Sequence, residues 1–335
     1  MKILVAGGAG FIGLHTCVAL AEASHEIVIV DSLINSRQSN IDNLQKIIKK
    51  QVDFVKSDVR DKAAMSQVFE RNKIDAVINF AGHKAVGESV ENPLKYYSNN
   101  LDCALVLLEC MDMFNVKTMV FSSSAAVYGS PEQLPISETA RISPQSPYGR
   151  TKQFIEEILC DLFAADPAWR IANLRYFNPV GSHSSGLIGE LPVGDPENLV
   201  PYIAQVAAGM RSKLRIFGDD YDTPDGTGIR DYIHVMDLAQ GHVKALAKLD
   251  EAEAGRILTV NLGTGKGYSV LELVDTFARV SGQVIPREIA SRRVGDVPAC
   301  YADPSLAVSE IGWVAQYGIE EMCRDAWNWQ ISLSE

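Results

Sequence analysis

The stretch Gly7-Gly8-Ala9-Gly10-Phe11-Ile12-Gly13 constrains this chain more than any other. It follows the apolar run Lys2–Ala6 directly and leads into residues 14–20, whose composition suits a helix. A strand, a glycine-rich turn and a helix in that order open a parallel α/β sheet. Glycine there permits a tight turn and lets backbone N–H groups at the helix start approach a pyrophosphate closely. The spacing G-x-x-G-x-x-G departs from the wider G-x-G-x-x-G fingerprint, and glycine-rich turns also arise for packing alone. Asp31 supplies the missing context. It ends the next apolar run, 18 residues after Gly13, where a carboxylate accepts from the adenosine ribose hydroxyls. That carboxylate would repel a 2′-phosphate, so the expected dinucleotide is NAD rather than NADP. Asp58-Val59 after the third run is placed to meet adenine, and Phe80-Ala81-Gly82 after the fourth sets small residues against the cofactor.

Short apolar runs alternate with helical periodicity through the first half. Residues 2–6, 26–30, 52–55, 76–80, 118–121 and 171–176 read as strands buried on both faces. Between them, Asn92-Pro93 opens a helix carrying Leu101, Leu105 and Leu108, and Ile155, Ile158, Leu159 and Leu162 form one stripe of another. Repeated β-α units of this length predict an α/β chain with a Rossmann-type, doubly wound parallel sheet. Residues 186–198 and 218–228 are rich in Gly, Pro, Asp and Asn and read as long binding loops, while 257–261 reads as a strand returning to the first sheet. The expected division is a dinucleotide-binding domain of residues 1–178 with a return segment at about 230–265. A smaller interleaved lobe of about 179–229 and 266–335 completes it.

The second informative pair is Tyr148 and Lys152, in Ser-Pro-Tyr-Gly-Arg-Thr-Lys, downstream of the cluster Ser122-Ser123-Ser124. Four residues apart on a helix, the two side chains share a face at roughly 5–6 Å. A tyrosine becomes a useful base near neutral pH when its pKa falls by some three units, about 4 kcal/mol. An ammonium at that distance supplies about 3 kcal/mol at an effective dielectric near 20. A cationic nicotinamide and the positive end of a helix starting near Tyr148 would supply the rest. The chemistry this predicts is proton transfer from an alcohol coupled to hydride transfer.

Composition excludes several alternatives. With 42 acidic against 31 basic residues the net charge is −11, the opposite of the basic stripe that nucleic-acid binding needs. Cysteines at 17, 103, 110, 160, 300 and 323 form no CxxC pair and no Cys/His ligand spacing, so no metal is expected. Reduced cysteines in a cytoplasmic protein are the expectation. The apolar N-terminus breaks at Gly7-Gly8, too early for a signal peptide, and no stretch approaches the 18 or more apolar residues of a membrane span.

Together these stretches resemble the UDP-glucose 4-epimerase family within the extended short-chain dehydrogenase/reductase superfamily. The resemblance covers almost the whole chain, through residues 7–13, 80–90, 122–129, 148–152, 175–181, 198–199, 216–218, 228–237 and 292–298. Phe177-Asn178-Pro179-Val180-Gly181 and Asp231-Tyr232-Ile233-His234-Val235 are specific to that family. The resemblance implies that NAD is held by Gly7, Gly10, Phe11, Ile12, Gly13, Asp31, Ser32, Asn35, Ser36, Asp58, Val59, Phe80, Ala81, Gly82, Lys84, Asn99, Ser122, Tyr148, Lys152 and Phe177. It assigns a UDP-sugar to Ser124, Tyr148, Asn178, Asn198, Leu199, Arg215, Ile216, Phe217, Arg230, the segment 293–296 with Arg293 and Asp296, and Cys300. Arg230 and Arg293 suit a diphosphate because guanidinium forks offer paired donors.

The implied reaction is inversion at C4 of a UDP-hexose. Tyr148, directly or through Ser124, removes the 4-OH proton while hydride passes to NAD. The 4-keto sugar turns over, and the transfer reverses on its other face. Lys152 is implied to lower the tyrosine pKa and hold the nicotinamide ribose. A homodimer built on helices near 93–114 and 148–164 is implied as well. Two positions depart from the family pattern. His83 stands where an apolar residue is common, and Cys300 replaces a tyrosine found in many bacterial members. Members with a small residue there tend to accept N-acetylhexosamines, so UDP-GlcNAc and UDP-GalNAc are expected as further substrates. A 4,6-dehydratase would need an acid just after Ser124, where this chain has Ala125-Ala126. A non-catalytic NAD-binding sensor would have no need to keep Ser124, Tyr148, Lys152 and the uridine-side residues together.

Overall fold

The computed structural model describes residues 1–192, 194–293 and 296–333. Six strands come from the first half: β1 (Lys2–Ala6), β2 (Glu26–Asp31), β3 (Asp53–Lys56), β4 (Ala76–Asn79), β5 (Thr118–Ser124) and β6 (Arg170–Tyr176). With the later strand Arg256–Leu262 they form one parallel sheet, in the order Arg256–Leu262, β6, β5, β4, β1, β2, β3. The order runs outward from β1 both ways, so a crevice opens beyond the carboxyl ends of β1 and β4. That is where doubly wound sheets bind ligands. Each strand lies within one residue of its expected place except β5, which runs three residues further, to Ser124.

Strand alternation feeds two cores. Ile3, Val5, Ile29 and Ile78 face one side, against α1 (Phe11–Glu22), α2 (Gln38–Ile48) and α8 (Val235–Asp250). Leu4, Val28, Val77 and Phe121 face the other, against α3 (Lys62–Arg71), α5 (Pro93–Met113) and α6 (Pro147–Ala165), with the short α4 (Val86–Glu91) preceding α5. One expectation needs correcting. β3 is not buried on both faces: Asp53 and Lys56 are exposed because this strand pairs only with β2 at the sheet edge. Leu105 does not join the core face of α5 and remains 41% exposed.

The rest of the chain adds α7 (Leu199–Ala207), α9 (Val270–Ser281), α10 (Ser305–Ile311) and α11 (Ile319–Ser332). Helices α7, α9 and α11 enclose a separate core of Val200, Ile203, Leu273, Phe277 and Met322. The chain crosses repeatedly: α8 and Arg256–Leu262 return to the first sheet, and Ala307, Ile311 and Trp313 pack into its core. Among the described residues no helix is long and apolar enough to cross a membrane.

Candidate active site

Helix α6 sets the reactive pair. The Ser146 side chain caps it by accepting from the Gly149 amide at 3.1 Å, and Pro147 opens the first turn. A Cβ at Gly149 would lie 2.7 Å from the Ala126 carbonyl oxygen, so only glycine lets α6 press this closely on the turn Ala125–Val127. The result is a buried Tyr148 beside Ser124 at the end of β5. One turn on, Lys152 is 7% exposed and donates from Nζ to the Ser122 carbonyl at 2.6 Å. Its Nζ stands 5.8 Å from the Tyr148 ring centroid and 4.9 Å from that of Phe121.

The electrostatics depart from expectation. Burial holds the Tyr148 phenol above its ordinary value, and the groups drawing it back are the Ser124 hydroxyl and the Lys84 ammonium. The Lys152 ammonium donates to the Ser122 carbonyl and not to the phenol. Burial in turn lowers Lys152 to about 8.

The glycines of the first turn divide their work. Gly7, with φ of +74°, lies where a Cβ would come within 2.8 Å of the Ala81 amide nitrogen. A Cβ at Gly13 would sit 2.5 Å from the Gly7 carbonyl oxygen, so both glycines serve packing. At Gly10 a Cβ would meet only the Gly7 carbonyl oxygen, at 3.3 Å. Gly10 is the N-cap of α1, which has no side-chain cap and no acid in its first turn. Its first amides are thus available to an anion with no like charge beside them, and the residues fit a dinucleotide pyrophosphate.

Asp31 is 8% exposed and accepts from the Ala9 amide (3.0 Å), the Leu33 amide (2.9 Å) and the Ser36 hydroxyl (2.8 Å). Ser32 and Phe11, Ile12, Phe80 and Ala81 are partly covered, whereas Asn35 is exposed. Asp58 pairs with Arg60 at 2.6 Å instead of standing free, and Val59 beside it is buried. Asn99 donates to the Asn100 side chain, and Phe177 is buried at the end of β6.

On the other side, Arg230 lies on the short strand Ile229–Arg230, directly opposite Cys300, and is bonded to Asp296. Phe217 carries two guanidiniums, Arg293 at 4.1 Å and Arg215 at 5.3 Å from its centroid. Ile216 between them turns into the second core at 1% exposure, so only its main chain is available to a ligand. Asn178 is exposed at the start of a strand paired with Tyr232–His234. Asn198 precedes α7, whose first residue is Leu199. Val294 and Gly295 of the 293–296 segment lie outside the described residues.

Two contributors escaped the sequence reading. Glu190 accepts from Lys84 at 2.6 Å and from Asn198 at 2.7 Å, joining the expected cofactor side to the expected sugar side. Asn100, buried in α5, accepts from the His83 amide and donates to the His83 carbonyl and to Thr151. The main chain at His83 is thereby held whatever its side chain. Only the unusual Asn99-Asn100 pair on an apolar helix hinted at this.

A family model described as GDP-mannose 4,6 dehydratase matches residues 4–326. The UDP-glucose 4-epimerase of Bacillus subtilis (strain 168) is 54% identical over 99% of this chain and 97% of its own. The chain belongs to the UDP-glucose 4-epimerase family. The solved structure of UDP-glucose 4-epimerase from Bifidobacterium longum, in complex with NAD+ and UDP, superposes with a TM-score of 0.95 at 50% identity. That match covers 99% of this chain and 98% of the other. The UDP-Glc/GlcNAc 4-epimerase of Campylobacter jejuni gives a TM-score of 0.86 at 38% identity, covering 99% of each. The dehydratase named by the family model fits this site poorly. Between Ser124 and Tyr128 stand only Ala125, Ala126 and Val127, with no carboxylate to eliminate water. No cluster able to hold a metal exists among the described residues.

Proposed function

We propose that this chain inverts C4 of UDP-hexoses, interconverting UDP-glucose and UDP-galactose through a transient 4-keto sugar, with NAD retained as a prosthetic group. The observation that carries this reading is the meeting of Tyr148, Ser124 and Lys152 at the end of β5. NAD supplies the hydride acceptor and donor at C4. Tyr148 takes the proton from the sugar O4 and later returns it from the other face, with Ser124 orienting that oxygen. Lys152 holds the nicotinamide ribose, Arg230 binds the diphosphate, and Asp31 receives the adenosine ribose hydroxyls. Fixing the nucleotide while leaving the hexose loosely held gives affinity remote from the reaction and freedom for the keto sugar to turn over.

The reading is tested by assaying purified protein with UDP-galactose, then denaturing it and measuring NAD in the supernatant. Turnover with released NAD is expected. Absence of NAD, with no binding of added NAD, rejects it. Asp31→Ala should admit NADP, since the like charge facing a 2′-phosphate is gone. Wild-type protein isolated with NADP would overturn that assignment.

A homodimer through α5 and α6 is part of the proposal. Leu94 (81% exposed), Met113 (61%) and Phe154 (38%) leave apolar surface on these helices. A monomer mass at micromolar concentration would reject it. The six free cysteines support a reducing, cytoplasmic setting.

A further inference from the structure

Three consecutive serines of β5 meet three consecutive turns of α6. Ser124 faces Tyr148, the Ser122 carbonyl holds Lys152, and the Ser123 hydroxyl donates to Glu156. Tyr148, Lys152 and Glu156 are spaced i, i+4, i+8, one face of the helix. Ser123 and Arg175 are direct partners across β5 and β6. Arg175 closes on Glu156 with two donors, Nε to Oε1 at 3.0 Å and Nη2 to Oε2 at 2.6 Å. Its Nη1 reaches the Tyr128 hydroxyl at 3.1 Å and the Glu138 carbonyl at 3.2 Å, and Tyr128 donates to Asn261 at 2.7 Å. Glu156 and Arg175 are each 7% exposed.

This ion pair lies on the apolar face of α6, beside Ile155 and Leu159. Hydrophobic residues of similar volume would hold such a position at least as well, so the pair is poorly explained as a source of stability. Charge with fixed hydrogen-bond geometry does what apolar packing cannot: it fixes the axial setting and rotation of α6 on the sheet.

We propose that Glu156, clamped by Ser123 and Arg175, is a positioning residue. It registers α6 on β5 so that Tyr148 meets Ser124 and Lys152 meets the Ser122 carbonyl. The proposal rests on the Tyr148/Lys152 reading above. Lys152 makes no ion pair among the described residues, and its hydrogen bond goes to a neutral carbonyl.

The test is the double variant Glu156→Gln/Arg175→Met, which removes both charges and leaves neither partner orphaned. It should keep its NAD and a KM within about twofold, while kcat falls roughly 10-fold or more, as small misplacements of reacting groups do. A kcat within twofold of wild type overturns the proposal and leaves the pair a structural brace. Should the double variant fail to fold, Ser123→Ala keeps the ion pair and removes only the tie to β5. A roughly 3–10-fold loss of kcat at unchanged NAD content supports the proposal, and wild-type kcat overturns it. Failure of the parent reading is separate: Tyr148→Phe would then stay active, whatever Glu156 does.

Discussion

Tyr148→Phe is expected to fold, to retain NAD and to lose turnover by roughly 10²–10⁴-fold, the range of a positioned general acid/base. That loss corresponds to about 3–5 kcal/mol of transition-state stabilisation. The ring is buried at the start of α6, and phenylalanine preserves its packing against the end of β5. The Lys152 tie to the Ser122 carbonyl does not involve the phenol, so the ribose-side contact is untouched. The effect should therefore fall on kcat, with KM for the UDP-hexose little changed. The direction of the pH dependence follows from the site. Burial raises the phenol above its ordinary value, so the phenolate form grows as pH rises, and wild-type kcat should climb with it. Residual activity of the variant should lack that rising limb. A variant with near-normal kcat and the same limb would mean that the proton is handled by another group.

The parts of this site that could be read from sequence are local ones. The glycine turn, Asp31 at a strand end and the Tyr148/Lys152 spacing each depend on a few consecutive residues, and Lys2–Ala6 forms the expected strand. The clamp on Glu156 comes from Arg175, and Glu190 lies 106 residues from Lys84. Such meetings leave no periodic trace in a chain. The edge position of β3 was equally hidden, since an apolar run reads alike in the middle of a sheet and at its margin. The Tyr148 electrostatics misled for a related reason. Helical spacing gave the distance to Lys152 correctly, but the commitment of its ammonium to Ser122 is set by how α6 lies on β5.

Cys300→Tyr is expected to abolish turnover of N-acetylated UDP-hexoses while largely sparing UDP-glucose and UDP-galactose. The hexose must be held in two orientations, before and after the keto sugar turns over, so a group on C2 sweeps from one wall to the other. Cys300 lies opposite Arg230 and packs against the small cluster of Val127, Tyr128, Ile136, Phe177 and Ala302, next to the turn that follows Ser124. A tyrosine here would occupy space that an acetamido group needs in one orientation, which is exclusion by bulk and not loss of a contact. The neighbour able to refill that space is Tyr301, but it is turned the other way. Its Cδ1 would be 3.1 Å from a Cβ at Gly267, as alternation along an extended chain requires. Burial pushes the Cys300 thiol up to about 11, so it contributes as a small neutral side chain. The wild-type enzyme should accordingly interconvert UDP-GlcNAc and UDP-GalNAc, measured at saturating substrate beside the plain hexoses. No N-acetyl turnover by the wild type, or N-acetyl turnover that survives in Cys300→Tyr, would place the gate at another residue.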